Sequence, residues 1–347
     1  KGRIRMKGYQ FEDTQGTFHL KKAENISYLY FPIAGEAGLK SSLTPNLGGD
    51  AKIDQNTFLL EPVSAENLVN NRNSRNFWCN VKGIGSWSLT GNAAEALSKK
   101  FTEMQDDSEV TAGFMWQKTT RESKKYQLRG EILSFIPVEK NVEVMLVTIT
   151  NTGRMAQTVT PTAAIPLYGR SADNIRDHRH VTSLLHRIET TDTGVLVTPT
   201  LSFDERGHQV NHMTYYCVGW SGNGEKPVDF YPTAEDFVGE GGNFERPYAI
   251  VKKAEGVKAG TRIEGLEAVG GLHFSEVTLE PEEECSYLIF TGITEDIQEI
   301  RNLSKTYTTR EMVLEELEKT KAYWQEKVNV AYHTGDSDFN QFMHWVS

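Results

Sequence analysis

A mainly β chain built around a large antiparallel β-sandwich is what this sequence predicts, and three observations carry the prediction. Apolar and β-branched residues come in stretches of strand length, the breaks between them are rich in Gly, Asn and Asp, and no crossover helices intervene before about residue 293. The 347 residues suffice for one large domain or two ordinary ones. Hydrophobic residues at 38% and charged residues at 24% describe a globular chain with a sizeable core.

In chain order, the first punctuation is SSLTPNLGGD (41–50). Its Gly48-Gly49 pair lacks the Lys-Ser/Thr ending of a phosphate loop and the spacing of a dinucleotide fingerprint, so it reads as a turn. A polar cluster follows in NLVNNRNSRNFWCNV (67–81), where Asn70, Asn71, Arg72, Asn73, Arg75 and Asn76 precede Phe77 and Trp78. Planar polar groups meet the directional demands of sugar hydroxyls, and an aromatic face suits the C–H surface of a sugar ring. The plainer reading is an asparagine-rich turn entering a core strand. VEVMLVTITNTG (142–153) sets Val142, Val144, Leu146 and Thr148 on one face and Met145, Val147 and Ile149 on the other, which predicts a strand buried on both sides. GVLVTPTLSF, MTYYCVGW and CSYLIFTGIT continue the pattern, with turns such as DERGH and SGNGE between them.

The pattern changes near Thr294. TEDIQEIRNLSK and TTREMVLEELEKTKAYWQEKV read as helices, the second opened by a capping box from Thr308 to Glu311 and striped by Val313, Leu314, Leu317, Trp324 and Val328. The chain stops inside DSDFNQFMHWVS, where Phe339, Phe342, Met343 and Val346 lie at helical spacing behind an N-cap, Asp336 or Ser337. An apolar face on a terminal stub is expected to need a partner. The expected division is therefore a β-sandwich at 1–293, a helical linker at 294–335, and at 336–347 the first helix of an all-α domain that continues elsewhere.

Composition also narrows function. A net charge of −10 and a pI near 5.5 oppose a phosphate-backbone partner, because nucleic-acid affinity comes from Lys and Arg. Cys79, Cys217 and Cys285 are odd in number and far apart, which fits neither a disulfide framework nor a zinc cluster and points to a reducing compartment, the cytoplasm. No apolar run approaches a membrane span, and KGRIRMKGYQ has no signal-peptide core.

The run that invites chemistry is PLYGRSADNIRDHRHVTSLLHRI (166–188). His178 and His180 alternate, which on a strand would share a face, but no further ligands stand nearby and no metal or cofactor is expected. Arg170, Arg176, Arg179 and Arg187 could grip carboxylate or phosphate bidentately, or bond sugar hydroxyls singly. Pairing of Asp173 and Asp177 with these arginines in an ordered loop is the bland alternative. No GxSxG elbow occurs, Cys79 has no neighbouring base, and spacing selects no carboxylate pair for glycoside chemistry.

YLYFPIAGEAGLKSSLTPNLGGDAKIDQNTFLLEPVSAENLVNNRNSRNFW, IPLYGRSADNIRDHRHVTSLLHRI and DSDFNQFMHWVS together resemble the N-terminal portion of the inverting phosphorylases of glycoside hydrolase family 94, most of all those acting on sophorose-type β-1,2-glucooligosaccharides. The resemblance implies a supersandwich, a helical linker and an (α/α)6 barrel. It implies reversible phosphorolysis, with inorganic phosphate as co-substrate, to α-glucose 1-phosphate and a shortened oligosaccharide. One general acid suffices, since phosphate needs no activating base. In the family that acid and the phosphate site belong to the barrel, so no catalytic residue is expected here. The expected contribution is sugar contact by Arg170, Arg176, His178, Arg179 and His180, with Arg72 and Arg75 as second choices, within a homodimer. The alternatives are a non-catalytic carbohydrate-binding or structural sandwich, or the phosphorylase-like part of a cyclic β-1,2-glucan synthase.

Overall fold

The computed structural model describes residues 8–26, 29–64, 67, 72–204 and 207–346. Asn70 and Asn71 of the polar cluster lie outside the described residues. The strand Val142–Asn151 is buried along all 10 of its residues, which requires a covering layer on each of its faces. Both layers are present.

That strand lies within an eleven-stranded antiparallel sheet whose order, among the described residues, is 9–11, 18–21, 107–113, 116–123, 128–135, 142–151, 284–294, 214–221, 194–197, 187–190 and 262–264. A second antiparallel sheet runs 229–233, 268–273, 157–167, 76–81 and 85–88, with 277–279 paired to the start of 157–167. Residues from both sheets, among them Phe77, Ile165, Leu272, Met145, Val147 and Ile289, form one continuous core. The sheets approach closely at Gly270, where a Cβ would sit 2.2 Å from that of Cys217. This is the predicted sandwich. A four-stranded sheet, 31–34, 40–43, 51–54 and 57–60, and the hairpin 201–204 with 207–210 complete the β-structure.

The helices, in chain order, are α1 (Ala94–Ser98), α2 (Arg179–Ser183), α3 (Ala234–Val238), α4 (Tyr248–Lys252), α5 (Ile297–Thr306), α6 (Arg310–Lys327) and α7 (Ser337–His344). The first four have 5 residues each, too few for a 3.6-residue period to show in the sequence. Helices α3 and α4 cover the outer face of the smaller sheet through Phe237, Ala249 and Ile250. Helices α5 and α6 cover the outer face of the larger one, where Ile300, Leu303, Val313 and Leu317 pack on Phe135, Val144, Val218 and Phe290. The stretch expected as a linker is thus also the second layer over the strand Val142–Asn151.

Three local expectations need correction. The capping box does not start at Thr308: Tyr307 is anchored in the core, stacked 5.4 Å from Phe290, and α6 begins one residue later behind Thr309. Thr308 instead directs its hydroxyl at Met312 Sδ, 3.2 Å away. The α6 stripe runs through Val313, Leu317 and Thr320, while Trp324 and Val328 are only half-buried. GVLVTPTLSF is not one strand either. Pro199 has no N–H to give a ladder, and the chain leaves the large sheet there to form the separate hairpin.

Asp336 does cap α7, its Oδ1 accepting from Asp338 N at 3.0 Å and Phe339 N at 3.1 Å. Phe339, Phe342 and Val346 are exposed. Among the described residues no helix is long and apolar enough to cross a membrane. The three cysteines are free thiols.

Candidate functional site

The arginine-histidine run does not form a strand. Beyond Leu167 the chain makes one more antiparallel contact, with the strand Thr57–Leu60, through Tyr168 N to Leu59 O at 2.8 Å and Phe58 N to Arg170 O at 2.9 Å. It then winds through the 3-10 turn Ala172–Arg176 and α2 and rejoins the large sheet at Arg187. His178 precedes α2 and His180 is its second residue, their rings 5.6 Å apart and both exposed. The shared strand face that suggested a metal therefore does not form. Among the described residues no group of three or more His, Cys, Asp and Glu is arranged to hold a metal ion.

Between this segment and the loop joining α3 to α4 lies a cavity of about 500 Å³. Tyr168, Arg179, His180, Phe244 and Glu245 line it, together with Glu61 and Glu267. Its polar wall is an alternating chain of charges. Arg170 donates from Nη2 to Glu267 Oε1 at 2.9 Å and from Nη1 to Oε2 at 3.3 Å. Arg179 donates from Nη2 to Glu267 Oε2 at 3.4 Å and from Nη1 to Glu61 Oε2. Glu61 Oε1 takes a further bond from Asn67 Nδ2 at 3.1 Å.

Burial alone would raise the Glu267 carboxyl, but the charges of Arg170 and Arg179 outweigh it and hold the group below the usual carboxylate range. Burial likewise opposes the charge on Arg179, and Glu267 and Glu61 together override it, so its pKa rises. Each arginine is thus neutralised before any ligand arrives. Such a wall suits neutral hydroxyl groups, which bond to charged partners without adding charge, better than a phosphate dianion, which two carboxylates would repel.

Beneath the network is His186, fully buried, its Nδ1 3.2 Å from Leu266 O. Burial first, and then the charge of Arg170, push its pKa down to about 3, so the ring is neutral at pH 7. Tyr168 packs its ring against the Arg170 guanidinium, with Cζ 5.1 Å from the ring centroid.

The structure sorts the expected contact residues. Arg179, His180 and Arg72 line the cavity. Arg170 is buried behind the wall and orients Glu267. Arg176 and His178 are exposed on the loop outside the wall. Arg75 is corrected outright. Only 1% exposed, it spends Nε and Nη2 on Glu143 at 2.7 and 2.8 Å and Nη1 on Gly49 O at 2.7 Å, so it holds the interior and faces no ligand. Phe77 and Trp78, weighed as a sugar platform, are likewise core, at 0% and 2% exposure. The arginines do not pair with Asp173 and Asp177; both aspartates are exposed, and Asp177 accepts from Asn174 Nδ2 at 2.9 Å. Arg187 pairs with Glu264 at 3.5 Å. Glu61 and Glu267 carried no local signal, since they lie 118 and 88 positions from Arg179.

The model of the glycosyl hydrolase 94 supersandwich domain matches residues 62–310, well over half of the sequence. The chain belongs to this family. The family 94 supersandwich includes most of the cavity wall, Arg72, Tyr168, Arg179, Phe244 and Glu267 among it, whereas Glu61 sits one residue before the matched region. No curated protein matches significantly. Solved structures similar to the chain include a bacterial glucoamylase complexed with acarbose (10% identity, 97% of this chain and 39% of that chain, TM-score 0.43). Others are the Slr1438 protein from Synechocystis sp. PCC 6803 (8%, 78% and 99%, 0.40) and a galactose mutarotase-like protein from Clostridium acetobutylicum (8%, 82% and 98%, 0.34). The chain spans well under half of the glucoamylase's length.

Proposed function

We propose that this family 94 supersandwich is the N-terminal part of a cytoplasmic, homodimeric inverting phosphorylase that converts β-1,2-glucooligosaccharide and phosphate to α-glucose 1-phosphate and a chain shorter by one glucose. What supports the reading is the family match, together with a cavity wall in which Glu267, Arg179 and Glu61, with Arg170 buried behind them, are mutually neutralised and so suited to an uncharged, hydroxyl-rich ligand. On this reading the chain grips sugar, and the proton donor and the phosphate-binding groups come from an (α/α)6 barrel that begins at α7. Asp173 and Asp177 are given no proton-donor role: both are exposed and neither lines the cavity.

The chemical division follows from charge. Phosphate attacks in line and needs cations and hydroxyls free to offset its charge, which the cavity arginines, already paired, do not offer. Sugar hydroxyls need oriented donors and acceptors, which the same pairing supplies.

The test is phosphorolysis by the full-length enzyme, with sophorotriose and phosphate as substrates and cello-oligosaccharides as the control. Release of glucose 1-phosphate from sophorotriose alone is expected. Arg179→Ala is expected to raise KM for the oligosaccharide about tenfold with kcat held, the signature of lost uniform binding. No product from any glucan, or unchanged kinetics in Arg179→Ala, overturns the reading in favour of a binding or structural module.

A further inference from the structure

We infer that residues 239–243, in the loop between α3 and α4, are a strap that folds over the cavity beside α2 once a ligand enters it and seals that ligand from water. The inference rests on the sugar-gripping reading above and goes beyond it by giving the binding site a closing step.

Both ends of the strap are anchored. Helix α3 holds Phe237 fully buried and is capped by Thr233, whose Oγ1 accepts from Asp236 N at 3.1 Å. Helix α4 is seated through the buried Ala249 and Ile250, and just before it Glu245 O accepts from Ala94 N at 2.8 Å. Phe244 packs on the same apolar cluster, 5.9 Å from Phe237, and fixes the point at which the strap leaves the body of the protein.

Between these anchors the chain runs Gly239, Glu240, Gly241, Gly242, Asn243. Residues 240–243 are exposed, and the bonds that shape the segment are local: Gly239 N to Glu235 O and Gly242 N to Gly239 O, both at 3.1 Å, and Arg246 N to Asn243 Oδ1 at 2.9 Å. Gly239 and Gly241 hold positive φ angles of 76° and 67°, and a Cβ on Gly241 would meet open space, so the tip has both backbone freedom and room to swing. A segment with solvent-facing backbone and few buried contacts opens and recloses at small cost in free energy.

The strap stands at the rim. Gly242 and Asn243 line the cavity with Arg179 and His180, and because Asn243 and His180 are exposed, the cavity opens to water beside them. Glu240 and Gly241, at the tip, stand outside the lining. Closing brings these two onto the bound molecule, and exclusion of water strengthens that molecule's bonds to Arg179, Glu61 and Glu267 by lowering the local dielectric.

The experiment is amide hydrogen exchange on the chain, free and with sophorose, beside calorimetric titration with the same sugar. In the free chain the amides of 240–243 are expected to exchange within about tenfold of unprotected rates, while those of Ala234 and Val251, bonded to Glu267 O and Pro247 O, are protected. Saturating sophorose should slow Glu240 and Gly241 at least about fivefold. Slowing at these two marks movement, since a ligand in the open cavity touches Gly242 and Asn243 instead. Protection of 240–243 in the free chain equal to that of Ala234 and Val251 overturns the strap whatever the sugar does. Heat of binding with exchange of Glu240 and Gly241 unchanged overturns the strap alone. No heat with sophorose overturns the sugar-gripping reading, and the closing step with it.

Discussion

Arg75 and Glu143 meet inside the sandwich as a two-pronged pair, Nε to Oε1 at 2.7 Å and Nη2 to Oε2 at 2.8 Å, with exposures of 1% and 2%. Ser41 Oγ adds a bond to Glu143 Oε2 at 2.6 Å, and Gly49 O takes Nη1, so the pair ties the turn at 44–49 to the central strand Val142–Asn151. Both charges are desolvated, and each depends on the other for compensation.

Removing one partner should therefore cost far more than removing both. Arg75→Ala is expected to destabilise by about 3–5 kcal/mol, while Arg75→Met with Glu143→Met, which leaves no orphaned charge, should cost less than either single change. Urea denaturation of the parent, Arg75→Ala, Arg75→Met, Glu143→Met and the double variant reads this directly. A near-neutral Arg75→Ala would contradict the buried pairing.

Acid should unfold the protein in two overlapping steps. His186 has a folded pKa depressed to about 3 against an ordinary 6.5, so below about pH 6.5 the unfolded chain binds a proton the native state refuses. Stability then falls by roughly 1 kcal/mol per pH unit toward pH 3 from this group alone. Glu267, held below 4.5, contributes stability that is present above pH 4.5 and lost as pH falls through its depressed folded value. Denaturation at pH 7, 5.5 and 4.5 should show a shallower slope for His186→Gln than for the parent. Parallel slopes would show that His186 is not the titrating group.

The arginines of the 166–188 run should separate by burial. Arg170→Ala strips a 5% exposed guanidinium from Glu267 and should cost about 3 kcal/mol of stability. Arg176→Ala, on the exposed turn, should stay within about 0.5 kcal/mol. Thermal unfolding of both variants checks the ranking, and equal losses would contradict it.

Trp345 fastens α7 to the N-terminal hairpin. Its ring lies 5.1 Å from Phe18 and 5.2 Å from Phe114, and Nε1 donates to Gly16 O at 2.7 Å. Trp345→Ala should release that contact locally, by about 2 kcal/mol, so amides of Phe18–Lys21 and α7 should exchange roughly thirtyfold faster while the global unfolding midpoint holds. Unchanged exchange there would show that the helix is held by other contacts.

Local patterning made much of this fold legible. The double-faced strand Val142–Asn151, the cap at Asp336 and the apolar stripe of α6 at Val313 and Leu317 follow from the periods of strand and helix, which depend only on neighbouring residues. The motif stretches also pointed to family 94, and the match over 62–310 agrees. The short helices α1 to α4 were not legible, because one turn holds too few positions to establish a period.

The site divides along the same line. Sequence alone placed Arg179, His180 and Arg72 among the candidate contacts and marked 166–188 as a polar segment with work to do, but it ranked Arg75 with them on residue type alone. Which arginine faces a cavity and which is sealed behind it was decided only when strand pairing brought Glu61, Glu143 and Glu267 to them from distant parts of the chain. Residue type sets what a side chain can bond; the partner it meets, and the dielectric around both, depend on register and sheet stacking, which are properties of the whole fold.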